Sequence, residues 1–317
     1  MTPSEPLTEE RTDAELLAAP RVPRRRPGQW LTAAVVLVLG AMLVHTLVTN
    51  PRFQWPGVAR YFAAPSVLRG LTLTLLLTAS VLVAGYVLGI GIAIMRLSGN
   101  LVLRTLTFGY VWLLRSVPTL VQLLFWYELA SLYPQLSLGI PFGHEFVSVS
   151  TAHLFSGVLA AFVGLTLDVA AFSAEIVRGG ILSVESGQHD AARALGLGRW
   201  RTLRRIVLPQ AMPAIIPASG NLVIGTLKAT SIVSVIAVQD LLYSTQLIYN
   251  QNFLIIPLLL VATVWYIVLT TVLSVGQFYV ERHFARGARR EARGLTTIVR
   301  ANLPVFGGQV PSTAGLS

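Results

Sequence analysis

The chain has 317 residues, 54% of them hydrophobic and only 12% charged, with a mean hydropathy of +0.66 and a formal net charge of +10. Soluble domains carry about 25% charged residues, and here the apolar surplus is gathered into long blocks, so the composition excludes an ordinary soluble domain and indicates a polytopic membrane protein. The 24 Lys and Arg lie between apolar blocks and in the tails without interleaved aromatics, which argues against nucleic acid as a partner, and the absence of cysteine excludes disulfides, thiolate metal sites and a cysteine nucleophile.

In chain order, residues 1–29 are acidic, then rich in Pro and Arg, without periodicity, and read as a disordered tail. The first apolar block, about 31–49, follows a leader too long for a secretory signal and reads as an uncleaved anchor. Further blocks run at about 70–95, 105–132, 151–174, 213–237 and 253–278. Each supplies about the 20 residues a helix needs to cross the hydrocarbon. Residues 281–317 read as a second tail, basic first and then bearing Gly, Pro and Ser. With the N-terminus in the cytoplasm and sides alternating, 19 of the 24 basic residues fall in cytoplasmic segments. Arg52, Arg60 and Arg69 are outside, and Arg115 and Lys228 lie in the membrane. That asymmetry predicts six spans with both termini cytoplasmic.

About 35 residues separate the fourth and fifth blocks. Residues 188–195 suit a short helix with Asp190 in its first turn and Gly196 as a left-handed stop. Residues 199–208 suit a second one, with Trp200, Leu203 and Val207 on one face, Arg201, Arg204 and Arg205 on another, and Pro209 ending it. Such a helix can lie in the headgroup layer. The loop reads either as an ordinary basic connection or as a coupling helix in which the small Ala191 and Ala192 allow close approach to a partner.

The intramembrane ionisable groups are costly and therefore informative. Asp168 reads either as a wall of a translocation path, meeting a substrate ammonium, or as an internal partner of Lys228 or Arg115. Lys228, with Thr230 and Ser231 after it, reads either as packing or as a contact for a substrate carboxylate. Arg115 with Pro118 marks a break in the third block, where proline frees a carbonyl. Glu175 and Arg178 are spaced for an ion pair. Gln239, Asp240 and Gln246 suit an outer mouth or a solvated edge. The histidines lack metal-ligand spacing, and neither a metal site nor a catalytic constellation is expected. The single lysine, Lys228, follows Leu227, so the chain holds no Gly-Lys phosphate-binding loop.

Asp190-Ala191-Ala192, three residues, Gly196, nine residues, Ile206, one residue, Leu208-Pro209 resembles the signature loop of ABC importer permeases, with Asp190 in place of the usual Glu. Residues 170–181 (Ala-Ala-Phe-Ser-Ala-Glu-Ile-Val-Arg-Gly-Gly-Ile), Lys228-Ala-Thr230-Ser231-Ile232-Val233, and Leu114-Arg115-Ser-Val-Pro118-Thr-Leu-Val-Gln122 resemble the polar amino acid branch, the histidine/glutamine-type permeases. The resemblance covers about 66–280, with a coupling loop at about 179–212, and leaves 30–65 as an extra N-terminal span and outer linker.

It implies an all-α polytopic protein with a five-helix type I core plus one extra N-terminal transmembrane helix, in the plasma membrane. It also implies a transport subunit rather than an enzyme. The expected partners are a separate ABC ATPase that binds the ATP, an extracytoplasmic substrate-binding protein, a second permease copy or paralogue, and membrane lipid. Asp190, Ala191, Ala192, Gly196, Ile206, Leu208 and Pro209 would couple to the ATPase, with Asp168, Arg115, Gln122, Lys228, Thr230 and Ser231 as candidates for the path. The chain itself would hold no cofactor. A competing class, an ion-coupled secondary transporter using Asp168 and Lys228, has no use for a loop of this spacing.

Overall fold

The computed structural model describes residues 27–139, 145–151 and 156–285. Most of both expected tails lies outside these residues, but two boundaries move: helix is already present at Pro27, and the last helix continues to Ala285. The chain divides into two compact units, one ending at Phe53 and the other beginning at Gln54.

The first unit holds helix α1 (Pro27–Thr49) and a 3-10 turn (Pro51–Phe53). Within α1, residues Trp30–Thr49 are apolar on every side, the pattern of a helix solvated by lipid.

The second unit begins with α2 (Trp55–Phe62), α3 (Pro65–Arg96), α4 (Leu101–Ser116), α5 (Thr119–Tyr127) and α6 (Leu129–Leu132). A two-stranded antiparallel hairpin follows, β1 (Gln135–Gly139) with β2 (Glu145–Ser150), which the all-helical expectation did not include. Then come α7 (Gly157–Leu182), α8 (Ser186–Ala194), α9 (Arg199–Thr202), α10 (Leu208–Ala229), α11 (Leu241–Asn252) and α12 (Ile255–Ala285). A π turn (Leu203–Val207) joins α9 to α10, and a 3-10 segment (Thr230–Ile236) extends α10.

Five helical elements among the described residues are long and apolar enough to cross a membrane: α1, α3, α7, the run Arg199–Ile236, and α12. The third expected span, 105–132, is not one helix. It is the pair α4 and α5, bent by 101° at Val117 and Pro118. Proline disfavours helical backbone at the residue before it, and both residues are extended here (ψ 130° and 135°).

Other boundaries move as well. The fourth span starts where Ser156 caps it and continues to Leu182 instead of stopping at Ala174, because ion pairs absorb the charges of Glu175 and Arg178. The arginine helix is not ended by Pro209. Pro209 stands in the first turn of α10, where its missing N–H is tolerated once the π turn has widened the helix.

Gly85 of α3 meets Val169 of α7, and Gly89 meets Ser173 one turn on. A Cβ at Gly89 would lie 2.8 Å from the Ala170 carbonyl oxygen, and the Ser173 hydroxyl donates to the Gly85 carbonyl at 3.1 Å. Small residues that let two backbones touch are the means by which membrane helices associate. The ascending order on both helices makes α3 and α7 parallel, so the bent pair and the hairpin between them return the chain along the bundle. Gly180 meets Ile215, and Gly157 meets Ile236 and Val238, so α10 runs antiparallel to α7. One end of the bundle, the loop end, therefore carries the turn after Arg96 and the α8 segment. The far end carries α2, the start of α3, and α11.

At the centre Leu77, Val81, Leu123, Leu165, Val169 and Val233 form one buried core. Val58, Val67, Leu71, Leu241 and Val261 form a second at the far end.

Candidate functional site

The 101° bend leaves the carbonyl of Leu114 without its usual donor, since residue 118 is proline. The Gln122 amide donates to that carbonyl at 2.6 Å and to the Val117 carbonyl at 2.8 Å. Gln122 is itself buried. It was expected to line a path; its side chain is instead the clasp of the break, because an orphan carbonyl inside the bundle needs a donor.

The bend opens a cavity of about 310 Å³ lined by Leu114–Thr119, Asp168 and Phe172. Asp168 reaches it from α7 and accepts from the Thr119 hydroxyl at 3.3 Å. The Arg115 guanidinium lies over the Phe172 ring, 5.1 Å from its centroid, a cation–π contact. Among the described residues neither Asp168 nor Arg115 is in an ion pair. The internal pairing weighed for Asp168, with Arg115 or Lys228, is therefore absent. The cavity holds an acceptor and a cation, each with capacity for a solute group.

Lys228, Thr230 and Ser231 lie outside this cavity. Lys228 is exposed on α10, where the helix tightens. Thr230 is fully buried, its hydroxyl donating to the Leu227 carbonyl at 2.6 Å, and Ser231 donates to the Lys228 carbonyl at 2.7 Å. Both hydroxyls serve the turn from α-helix to 3-10 helix. Beyond it Asp240 is neither solvated nor at an open mouth. It is fully buried, caps α11 through the Tyr243 N–H at 2.8 Å and accepts from Tyr266 at 3.5 Å. Burial pushes its carboxyl up to about 6. Gln246 is half-buried and Gln239 exposed.

At the loop end, α8 starts two residues earlier than its pattern suggests, so Asp190 stands beyond the first turn. It pairs with Arg193 at 2.7 Å on an exposed surface instead of facing the helix dipole. Gly196 takes φ +68°, its N–H bonding the Arg193 carbonyl at 2.9 Å, while the Leu197 N–H bonds the Ala192 carbonyl at 3.0 Å. These are the two bonds of a Schellman stop. Ala192 is fully buried against its own chain and Ala191 is exposed, so the two alanines do different work.

Val184, Val207, Ala211 and Ile215 form a small core beneath the segment, with Leu203 packed against it. Gln210 ties to Gln188 at 3.3 Å. Ile206 is half-buried, and Leu208 and Pro209 are exposed. Trp200 departs from the expected apolar face: it is 71% exposed, and Leu195 is 77% exposed. The segment thus presents apolar knobs among exposed Arg193, Arg199, Arg201, Arg204 and Arg205.

Glu175 and Arg178 pair as spaced, with bonds of 2.8 and 3.2 Å. Sequence reasoning missed the second partner of Glu175, Arg96 from the end of α3. It also missed Thr119 and Phe172 in the cavity. Phe172 lies one turn from Asp168, a spacing that was readable. Gly85 and Gly89, a Gly-x-x-x-Gly pair in an apolar block, also offered a readable signal.

The family model for the binding-protein-dependent transport system inner membrane component matches residues 85–286. The arginine transport system permease protein ArgU of Corynebacterium glutamicum is 39% identical over 298 residues, 92% of each chain. A match of that extent leaves out about 25 residues at most, so it takes in α1, which precedes the family model. The glutamine transport system permease protein GlnP of Escherichia coli K12 is 30% identical over 223 residues, 70% of this chain and 94% of its own. Among solved structures, that of an amino acid ABC transporter with histidines matches with TM-score 0.58 and 31% identity, over 69% of this chain and 94% of that one.

Proposed function

We infer the function from one premise: the chain belongs to the family of binding-protein-dependent transport system inner membrane components. It is an amino acid ABC importer permease subunit of the cell membrane, with a helical core of the type I kind. Beyond that, the chain forms the translocation path for a cationic amino acid, couples to a separate ATPase through 190–209, and works beside a second permease copy or paralogue. A substrate-binding protein delivers the solute at the far end.

The observation that carries the cargo is the cavity at the break. Asp168 and Arg115 line it together without neutralising each other. A carboxylate suits an ammonium or guanidinium, and a guanidinium suits a carboxylate; an amino acid with a basic side chain offers both. The arginine permease relative supports the same reading.

For coupling, the support is the projecting segment with Leu195 and Trp200 exposed over a packed base. Nucleotide binding belongs to the partner chain, since the single lysine here is not in a phosphate loop.

Uptake by proteoliposomes containing the permease, its ATPase and its binding protein, against a panel of labelled amino acids, tests the cargo. Arginine and lysine are expected to lead, and a lead for glutamine or glutamate overturns the assignment. Gly196→Asp is expected to leave membrane insertion intact and to abolish both ATPase pull-down and uptake. Retained pull-down by that variant removes the loop from the coupling role.

A further inference from the structure

Where α3 ends and α4 begins, the loop end gathers more positive charge than the chain itself answers. Arg115 and Arg178 are near enough to act electrostatically on Arg96, and Arg104 shares a cavity with Arg96. Against these four arginines, Glu175 is the one carboxylate among the described residues that pairs with any of them, holding Arg96 and Arg178. The cavity measures about 240 Å³ and is lined by Arg96, Arg104, Thr105 and Phe108. Arg96 is anchored on both sides, by Glu175 and by the Phe108 ring 5.6 Å from its guanidinium carbon. Its remaining donors are thereby held in place beside Arg104.

The surroundings of this cavity are apolar and uncovered. Leu101, Val102 and Leu106 on α4 are 65%, 64% and 66% exposed, and Phe108, one turn deeper than Arg104, is 55% exposed. In a membrane-spanning chain such a surface meets acyl chains, while arginines at the helix end stand at headgroup depth. Guanidinium groups bind phosphate through paired, charge-assisted hydrogen bonds, and basic pockets between helices suit anionic headgroups.

We propose that Arg96, Arg104 and Thr105 form a binding site for the phosphate of an anionic phospholipid, whose acyl chains lie along Leu106 and Phe108. The lipid supplies an anion to Arg96 and Arg104, the two arginines that line the cavity. Arg96 is the preset half of the site and Arg104 the adaptable half, since Arg104 is exposed and in no ion pair among the described residues. The site shares no lining residue with the Asp168 cavity.

The test uses full-length permease extracted with its accompanying subunits, titrated with phosphatidylglycerol or phosphatidylcholine and read by native mass spectrometry. Phosphatidylglycerol is expected to be retained preferentially. Arg104→Gln is expected to weaken that retention about fivefold, the factor matching the roughly 1 kcal/mol a basic residue contributes beside an anionic surface, and Arg104→Lys to restore most of it. Inorganic phosphate and glycerol 3-phosphate, added at the same concentration, are expected not to displace the lipid. Equal retention by wild type and Arg104→Gln overturns the site, and displacement by free phosphate overturns the lipid as its ligand. Loss of a protein subunit from Arg104→Gln with lipid retention unchanged assigns the arginines to a protein contact instead.

Discussion

Pro118 and the prolines of α10 begin from the same chemistry and end differently. Each removes a backbone N–H and leaves an acceptor four residues earlier without a partner. Pro213 and Pro217 stand inside α10 and the helix carries on through them. Pro118 coincides with a 101° bend, and Gln122 takes two of the carbonyls that the bend releases. In α10 the carbonyls that lose their donors are those of Pro209 and Pro213, and the helix keeps its course around them. A proline thus creates the possibility of a break. Whether the chain uses it depends on a polar side chain placed to satisfy the bent form.

On the proposed reading the bent break serves transport and the prolines of α10 serve structure alone, and four measurements bear on the two and on the far end. The largest expected effect is on transport: Asp168→Asn should lower uptake of a cationic amino acid at least about tenfold, near 1.4 kcal/mol in the limiting step. Lys228→Gln should stay within about threefold. Equal losses in the two variants would erase the distinction between the cavity and α10.

Next, Gln122→Leu should lower stability in detergent by about 1–3 kcal/mol, the cost of buried carbonyls left without a donor. An unchanged unfolding midpoint would mean the bend needs no clasp.

The third measurement concerns pH and the far end. Asp240 titrates near 6 in the folded chain, above the unfolded carboxyl, because burial disfavours its charge. Below about 4 both states are protonated and the group contributes nothing; above about 6 the penalty is complete. Stability should therefore rise as pH falls from 7 toward 5, by on the order of 1 kcal/mol from this group. Asp240→Asn should flatten that slope in a thermal melt, and an identical slope in the variant would discharge Asp240 from the role.

Smallest of all, Pro213→Ala should change stability by under about 1 kcal/mol, since the surrounding helix already tolerates the missing N–H. A large loss would show that α10 also depends on its proline.

Much of this architecture was legible as hydropathy. The blocks fall on the helices to within a few residues at several ends, and the left-handed glycine at 196 appears where its stop was read. What the one-dimensional pattern missed has three physical causes. Apolar periodicity does not register a bend, so 105–132 reads as one span although Val117 and Pro118 are extended. Charge within a helix reads as a boundary until its partner is known, so Ala174 looked like the end of α7 before Arg96 was found beside Glu175. Buried polar side chains look like path residues in sequence. Gln122 and Thr230 carry the right chemistry, yet both spend their donors on backbone carbonyls. Asp168 and Arg115 differ because the bend leaves them room.

The meeting of Gly89 with Ser173 has an evolutionary consequence. A Cβ at 89 would run into the Ser173 hydroxyl and lie 3.0 Å from the Ala174 nitrogen, while Gly85 is closed by Val169 in the same way. Shrinking residue 173 would clear only the hydroxyl, because the other two obstacles are backbone atoms, the Ala170 oxygen and the Ala174 nitrogen. Among relatives that keep the parallel pair, position 89 should therefore stay glycine whatever stands at 173, even though it touches no cargo.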